Sequence, residues 1–310
     1  WIGLDDERNA DWGNPLDLVK PSVGVFAEYH LHPHLFLNFQ FQFGVIAAAD
    51  SEATDEGSGR FRQFRNLDFK NRIFELSTTA NYYFFANDRH FRYRPKWNPY
   101  VFAGVGVFYH SPFTELTARE IQAHSNARPN LASTLQAFED EEIHLHDLRT
   151  EGQGSGEPRT EDDIYSRVQL SIPMGLGIDY KVSDRINIGF KIGFRKTLTD
   201  HLDDVGSVFY ADPEAFLDGR AASDNSVLSF VLSDRSGYRF TADQNGNLTV
   251  GNNSGFRVQQ TVIDETGSIE GDVGTPGEKR GFDDQDDWFA FTGFKITYIL
   301  QSGGLRCPKF

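Results

Sequence analysis

The chain has 310 residues and a formal net charge of -15, from 45 acidic against 30 basic side chains, a balance that argues against nucleic acid as a partner. Aromatic residues make up 14%, including 28 Phe and 11 Tyr, mean hydropathy is -0.47, and no run of about 18 apolar residues exists, so a helical membrane span is excluded. A single cysteine, Cys307, excludes an intramolecular disulfide.

Residues 1–18, WIGLDDERNADWGNPLDL, are rich in Asp, Asn and Gly and read as the end of a strand followed by a loop. No signal peptide is visible, and a chain opening at Trp1 without an initiator Met is expected to have lost one, which fits export. Ser22 to Leu31 alternates, with Val23, Val25, Ala27, Tyr29 and Leu31 on one face against Phe26, Glu28 and His30. His32-Pro33-His34 turns the chain. Leu35 to Ala47 returns with Leu37, Phe39, Phe41, Phe43 and Val45 on one face against Asn38, Gln40 and Gln42, and residues 50–66 read as a polar loop. Leu67 to Phe85 sets Phe74, Leu76, Ala80, Tyr82 and Phe84 against Glu75, Ser77, Thr79 and Asn81. A basic, aromatic turn, NDRHFRYRPKWN, leads to the strand Pro99 to Tyr109.

A long insert follows, whose EDEE (139–142) and GQGSGEPRTEDD (152–163) segments read as solvated and mobile. The strongest pattern comes next. Val168, Leu170, Ile172, Met174, Leu176, Ile178 and Tyr180 share one face of a strand whose other face carries Arg167, Gln169, Ser171, Gly175 and Gly177. After an SDR turn, Ile186, Ile188, Phe190, Ile192 and Phe194 oppose Asn187, Gly189, Lys191, Gly193 and Arg195. A second insert rich in Gly, Asn and Asp reaches Asp287. The last strand, Trp288 to Leu300, sets Phe294, Ile296 and Tyr298 against Gly293, Lys295 and Thr297.

A period of two over about ten residues, repeated strand after strand with one apolar and one charged face, matches tilted strands that cross a bilayer. The expectation is an all-β fold: a transmembrane antiparallel barrel, apolar outside and polar within. Connections alternate short and long, which places the short turns and the C-terminus in the periplasm and the inserts outside the cell. Seven complete strands are legible in the sequence. Closure with an even number requires an eighth ahead of Ser22, so WIGL is expected to end that strand. The domain reading is one barrel over residues 1–302, of OmpA/OmpX size, with external loops near 113–164 and 203–287, and a periplasmic tail over 303–310. Eight strands enclose room for side chains only, so Glu28, Glu75, Arg167, Lys191, Arg195 and Lys295 are expected to pair in a plugged lumen.

The segments FRNLDFKNRIFELSTTANYYFF (64–85), NPYVFAGVGVFYHSP (98–112), IPMGLGIDYKVSDRINIGFKIGFRKTLTDHLDDV (172–205) and RCPKF (306–310) resemble the PorG family of Bacteroidota outer-membrane proteins, a component of the type IX secretion system. The resemblance spans about a third of the chain in separated blocks, with RKTLTDHLDDV the most specific, and leaves 113–164 and 211–283 unmatched. It implies a non-enzymatic scaffold in the outer membrane, in contact with its lipid and lipopolysaccharide. The periplasmic partner it implies is a lipoprotein ring of the PorK and PorN type; no cofactor, metal, nucleic acid or small-molecule substrate is implied.

Two periplasmic segments are candidates for that contact: the turn bearing Arg89, Arg92, Arg94 and Trp97, and the tail bearing Arg306, Cys307, Pro308, Lys309 and Phe310. Arginine beside aromatics is the composition of interface hot spots, and equally that of a girdle set among lipid headgroups. In an oxidising periplasm Cys307 forms an intermolecular disulfide or stays a bystander. Other polar clusters have structural readings. His30, His32 and His34 read as a polar turn rather than a metal site, and so do His144 and His146. Asp200, His201, Asp203 and Asp204 suggest an omptin-like protease, but one loop supplies them all, and the competing reading is a loop start ordered through backbone amides or paired with Arg195 and Lys196. A free-standing surface barrel, active in adhesion or in bridging lipopolysaccharide through cations held by acidic loops, is the remaining alternative.

Overall fold

The computed structural model describes residues 19–50, 65–87, 93–154, 164–206, 209–219, 225–235, 240–242, 248–250, 261–263, 269–272, 280 and 286–300. Seven long strands form one antiparallel sheet: β1 (Ser22–His32), β2 (Leu35–Ala49), β3 (Asp68–Tyr83), β4 (Trp97–Glu115), β6 (Val168–Lys181), β7 (Ile186–Thr197) and β12 (Trp288–Tyr298). They pair in that order, and a short β5 (Glu142–His144) pairs with the overhanging end of β4, while β8 (Phe240–Ala242) with β9 (Leu248–Val250) and β10 (Thr261–Ile263) with β11 (Ile269–Asp272) form two separate short ladders. The sheet curls into a half-barrel. Alternation explains the register: in β3 every second residue from Phe69 to Tyr83 is buried, and in β6 the faces seen in the sequence keep their sides. No helix among the described residues is long and apolar enough to cross a membrane.

Curling brings the inner faces together, and small residues make the space. A Cβ at Gly104 would lie 2.0 Å from the Thr78 carbonyl oxygen, and one at Gly177 would lie 2.4 Å from the Tyr100 ring, so neither site admits a side chain without movement. The two hairpins seen in the sequence close as expected. His32 pairs with Leu35 across the first, and Val182 and Ser183 donate to the Ile186 carbonyl in the second.

Because seven antiparallel strands alternate in direction, β1 and β12 run the same way. No ladder joins them among the described residues. Between them lies a groove of about 380 Å³ lined by Phe26, Glu28, Lys191, Phe294 and Lys295. The eighth strand expected at WIGL, like the tail 303–310, lies outside the described residues.

The inserts depart most from the sequence reading. Their described parts include helices that the sequence reading did not name, and these fold into a cap over one end of the sheet. The cap contains α1 (Ala118–Ala127), α2 (Ala132–Gln136), α3 (Pro213–Leu217) and α4 (Ser226–Ser233). Thr117 and Glu120 form a reciprocal capping box at the start of α1, and the Asn225 side chain accepts from the Leu228 amide at the start of α4. Ile121, Leu135, Leu148, Phe216 and Leu232 pack into a core that runs on, without a break, into Ile46, Ile73, Phe108 and Phe289 of the sheet. The apolar surface buried there is what orders these segments. EDEE is exposed as expected, but Gln153 at the start of the second polar segment is buried, Gly154 is exposed, and 155–163 fall outside the described residues.

Buried ion pairs stitch the cap to the sheet. The loop expected to be merely polar ends in one: Arg65 Nε and Nη2 donate to both Asp50 carboxylate oxygens at 2.8 and 2.9 Å, with both residues shielded from solvent. Arg235 bridges Asp68, at the start of β3, to Glu120 of α1, the latter at 2.7 Å. Arg280 pairs with Glu151 at 2.8 Å.

Candidate functional site

The curled face carries two layers of paired charge. Nearer the cap, Glu75 of β3 is fully buried; it accepts from Arg195 Nε of β7 at 3.2 Å and from the Ser171 hydroxyl of β6 at 3.0 Å. Arg195 Nη2 also reaches Gln42 Oε1 at 3.3 Å. Nearer the turns, Lys295 Nζ of β12 lies 3.1 Å from Asp179 Oδ2 and 3.5 Å from Glu28 Oε1. The Tyr83 hydroxyl donates to Asp179 at 2.9 Å, Asn81 donates to Glu28 at 3.0 Å, and Lys295 sits 4.4 Å over the Tyr100 ring. Lys191 lies between the layers, donating to Gln40 Oε1 at 2.9 Å with its ammonium 4.1 Å over Phe102.

The structure therefore brings together five of the six residues read from the sequence as lumen charges. Arg167 is the exception. It precedes β6 and, though its parity is inward, its guanidinium turns to the cap, pairing with Asp147 and donating to His146 Nδ1 at 3.0 Å. It lies one residue past the last β4–β6 rung, Tyr109 with Val168, where its carbonyl still accepts from the His110 amide and the cap supplies the acid its side chain meets. Sequence reasoning passed over Asp179, Tyr83 and Tyr100. The signal for the first two was available: they hold the same parity as Ser171 and Glu75 on their strands.

Such an arrangement ties strands together across the wall. Glu28, Glu75 and Asp179 each have a cationic partner, and Glu75 and Asp179 each accept from a hydroxyl as well. The acid–histidine cluster of the second insert is likewise engaged. Asp203 accepts from the Val205 amide at 3.0 Å, and Asp204, 2% exposed, accepts from Thr150 and Tyr165 hydroxyls, both at 2.6 Å. Burial pushes the Asp204 carboxyl above its ordinary range, against the pull of those two donors. The pairing considered with Arg195 and Lys196 is not formed: Arg195 belongs to Glu75, and the Lys196 ammonium lies 5.8 Å from the Trp288 ring centre. His34 Nδ1 meets the Tyr83 carbonyl at 2.8 Å in the β1–β2 turn. Among the described residues no three His, Cys, Asp or Glu side chains converge as metal ligands.

At the turn end the candidate docking residues divide. Arg94 ties two turns together, donating to Asn187 Oδ1 at 2.7 Å and to the Asp184 carbonyl at 2.9 Å, and burial lowers its pKa. Trp97 is 56% exposed, with its ring 4.4 Å from that of Tyr180. Arg89, Arg92, Arg306, Cys307, Pro308, Lys309 and Phe310 lie outside the described residues.

The opposite face of the sheet is apolar and open. Val105 is 69% exposed and Ile296 73%, with Leu170, Leu176, Ile188 and Phe194 also exposed along β6 and β7. The chain matches a family described as a domain of unknown function, DUF6089, over residues 6–135, a stretch that contains β1 to β4 and α1. No curated protein and no solved structure matches it.

Proposed function

We propose that this chain is an outer-membrane β-barrel that acts as a non-enzymatic anchor of a type IX secretion machine, docked to a periplasmic lipoprotein ring. One observation carries the membrane part: the outward face of seven strands is a continuous exposed apolar surface, while the charges lie inward in pairs. A soluble protein rarely exposes so large an apolar patch, and a bilayer is the solvent that such a surface fits. In hydrocarbon an unpaired sheet edge is not tolerated. Closing the wall between β1 and β12, which run the same way, takes one further strand antiparallel to both.

The anchoring role is supported by the PorG-like blocks and by the aromatic and basic rim at the turn end, where Trp97 is exposed and Arg94 is held in place. Co-purification tests it. Extracted from outer membranes in mild detergent, the chain is expected to bring down a lipoprotein ring, and deletion of residues 303–310 is expected to release it. Membrane residence without any ring partner favours the free-standing surface barrel instead. A protease reading is disfavoured by the engagement of Asp203 and Asp204 under the cap.

A further inference from the structure

Three histidines from three separate segments surround one tyrosine where the cap meets the sheet. Tyr165, just ahead of β6, stacks between His110 of β4 (ring centres 5.7 Å apart) and His201 of the second insert (4.6 Å), and His146 of the first insert packs edge-on at 4.8 Å. The Tyr165 hydroxyl donates to buried Asp204, so both inserts and two strands meet at this ring.

His110 is fully buried and its protonation state is dictated by its neighbours. Asn71 Oδ1 accepts from the Ser111 amide at 2.8 Å, which fixes the amide so that Asn71 Nδ2 donates to the Leu202 carbonyl at 2.7 Å and points at His110 Nδ1, 3.4 Å away. Nδ1 must accept, and Nε2 must donate to the Ser166 carbonyl at 3.3 Å. Both demands are met only by a neutral ring. A proton on Nδ1 would set N–H against N–H, and turning the amide to relieve it breaks the bond to Leu202, which holds the second insert.

We propose that this contact is an acid-sensitive latch, in which protonation of His110 releases the cap from the end of the sheet while the strands stay paired. The surrounding charges favour a graded response. His201 has the Glu151 carboxylate at 3.9 Å, and His146 Nδ1, which accepts from Arg167, lies 3.0 Å from Asp147, so each has an acid beside it. Arg167 and Arg280 already neutralise Asp147 and Glu151. Against Asp147, Glu151 and Asp204 stand two arginines, and charging three imidazoles turns a net negative contact net positive. His110 has no acidic partner among the described residues, so its charge is the one left uncompensated.

The test is hydrogen exchange on the full chain in detergent, corrected for the intrinsic effect of pH. It uses a His124→Gln background, which removes the buried histidine of α1. Amides of α1 and α4 are expected to lose protection by about tenfold or more between about pH 7.5 and about pH 5, while β2, β3 and β7 keep theirs. His110→Gln, which can accept from Asn71 and donate to Ser166 at any pH, is expected to abolish that loss. Asn71→Asp supplies the missing acid and is expected to reverse the sign, tightening the cap as pH falls. Cap protection that stays constant over this range, or that falls equally in Asn71→Asp, overturns the proposal. The measurement does not depend on the membrane reading.

Discussion

The inner wall of the sheet and the core of the cap are both closed to water, yet they are held by different physics. On the wall, charges such as Glu75, Arg195, Asp179 and Lys295 meet across strands, and removing either partner strands the other. In the cap, Ile121, Leu135, Phe216 and Leu232 pack by shape, with ion pairs at the margin. The wall therefore tolerates little change of charge, and the cap little change of volume.

The largest effect is expected on the wall. Arg195→Ala leaves Glu75 buried without its guanidinium and should destabilise the sheet by about 3–5 kcal/mol, measured as the denaturant midpoint of the purified protein. Joint replacement of Glu75 and Arg195 by Gln and Met should restore much of the loss. A mild effect of the single change would mean that water or other donors reach Glu75, and the wall is not sealed. Next comes the cap. Leu135→Ala removes a fully buried side chain and should weaken the cap by about 2–5 kcal/mol, seen as faster exchange in α1 and α2 with the strands unaffected. Should β2 or β3 loosen equally, cap and sheet would be one cooperative unit and the contrast between them would fail.

A third comparison uses pH. Burial lowers the His124 pKa to about 4 in α1, against an unfolded value of about 6.5, so the unfolded cap takes up the proton first. Burial pushes Glu120 up, but Arg235 and the Thr117 amide and hydroxyl outweigh it and lower the carboxyl below its ordinary value. Both shifts have the same consequence. Cap stability falls as pH drops, from His124 between about 6.5 and about 4 and from Glu120 below its unfolded pKa of about 4.5. His124→Gln should flatten the upper part of that slope in a thermal scan; an unchanged slope would place the titrating group elsewhere. The smallest effect belongs to the exposed pair Arg72–Glu142, at 2.5 Å: Glu142→Ala should change the melting free energy by no more than about 1 kcal/mol.

Period two made the sheet legible. All seven long strands, their facing sides and the His32–His34 and SDR turns followed from it, and Glu28, Glu75, Lys191, Arg195 and Lys295 lie on the face their parity gives them. The end of β4 did not: Ser111, Pro112 and Thr114 break the alternation because that stretch, still paired to β3, runs past its last rung with β6 and is buried under the cap, where β5 pairs with it. The cap itself was hidden by reading its polar tracts as loops. Thr117-x-x-Glu120 is a capping-box signature, and SVLSFVLS in α4 is an apolar run whose helical character only its tertiary packing settles. Arg65–Asp50 and Arg235–Asp68 join residues far apart in the chain, and no spacing rule marks such pairs in advance.

The central claim is that the apolar face of the sheet meets lipid. Single spin labels placed along β6 and β7 of the bilayer-reconstituted protein, scored for access to oxygen against a water-soluble nickel chelate, test it most directly. The account predicts alternation with a period of two: Leu170, Ile172, Leu176, Ile188 and Phe194 oxygen-accessible, Gln169, Ser171 and Arg195 shielded. Uniform access of the chelate to the apolar positions would contradict it.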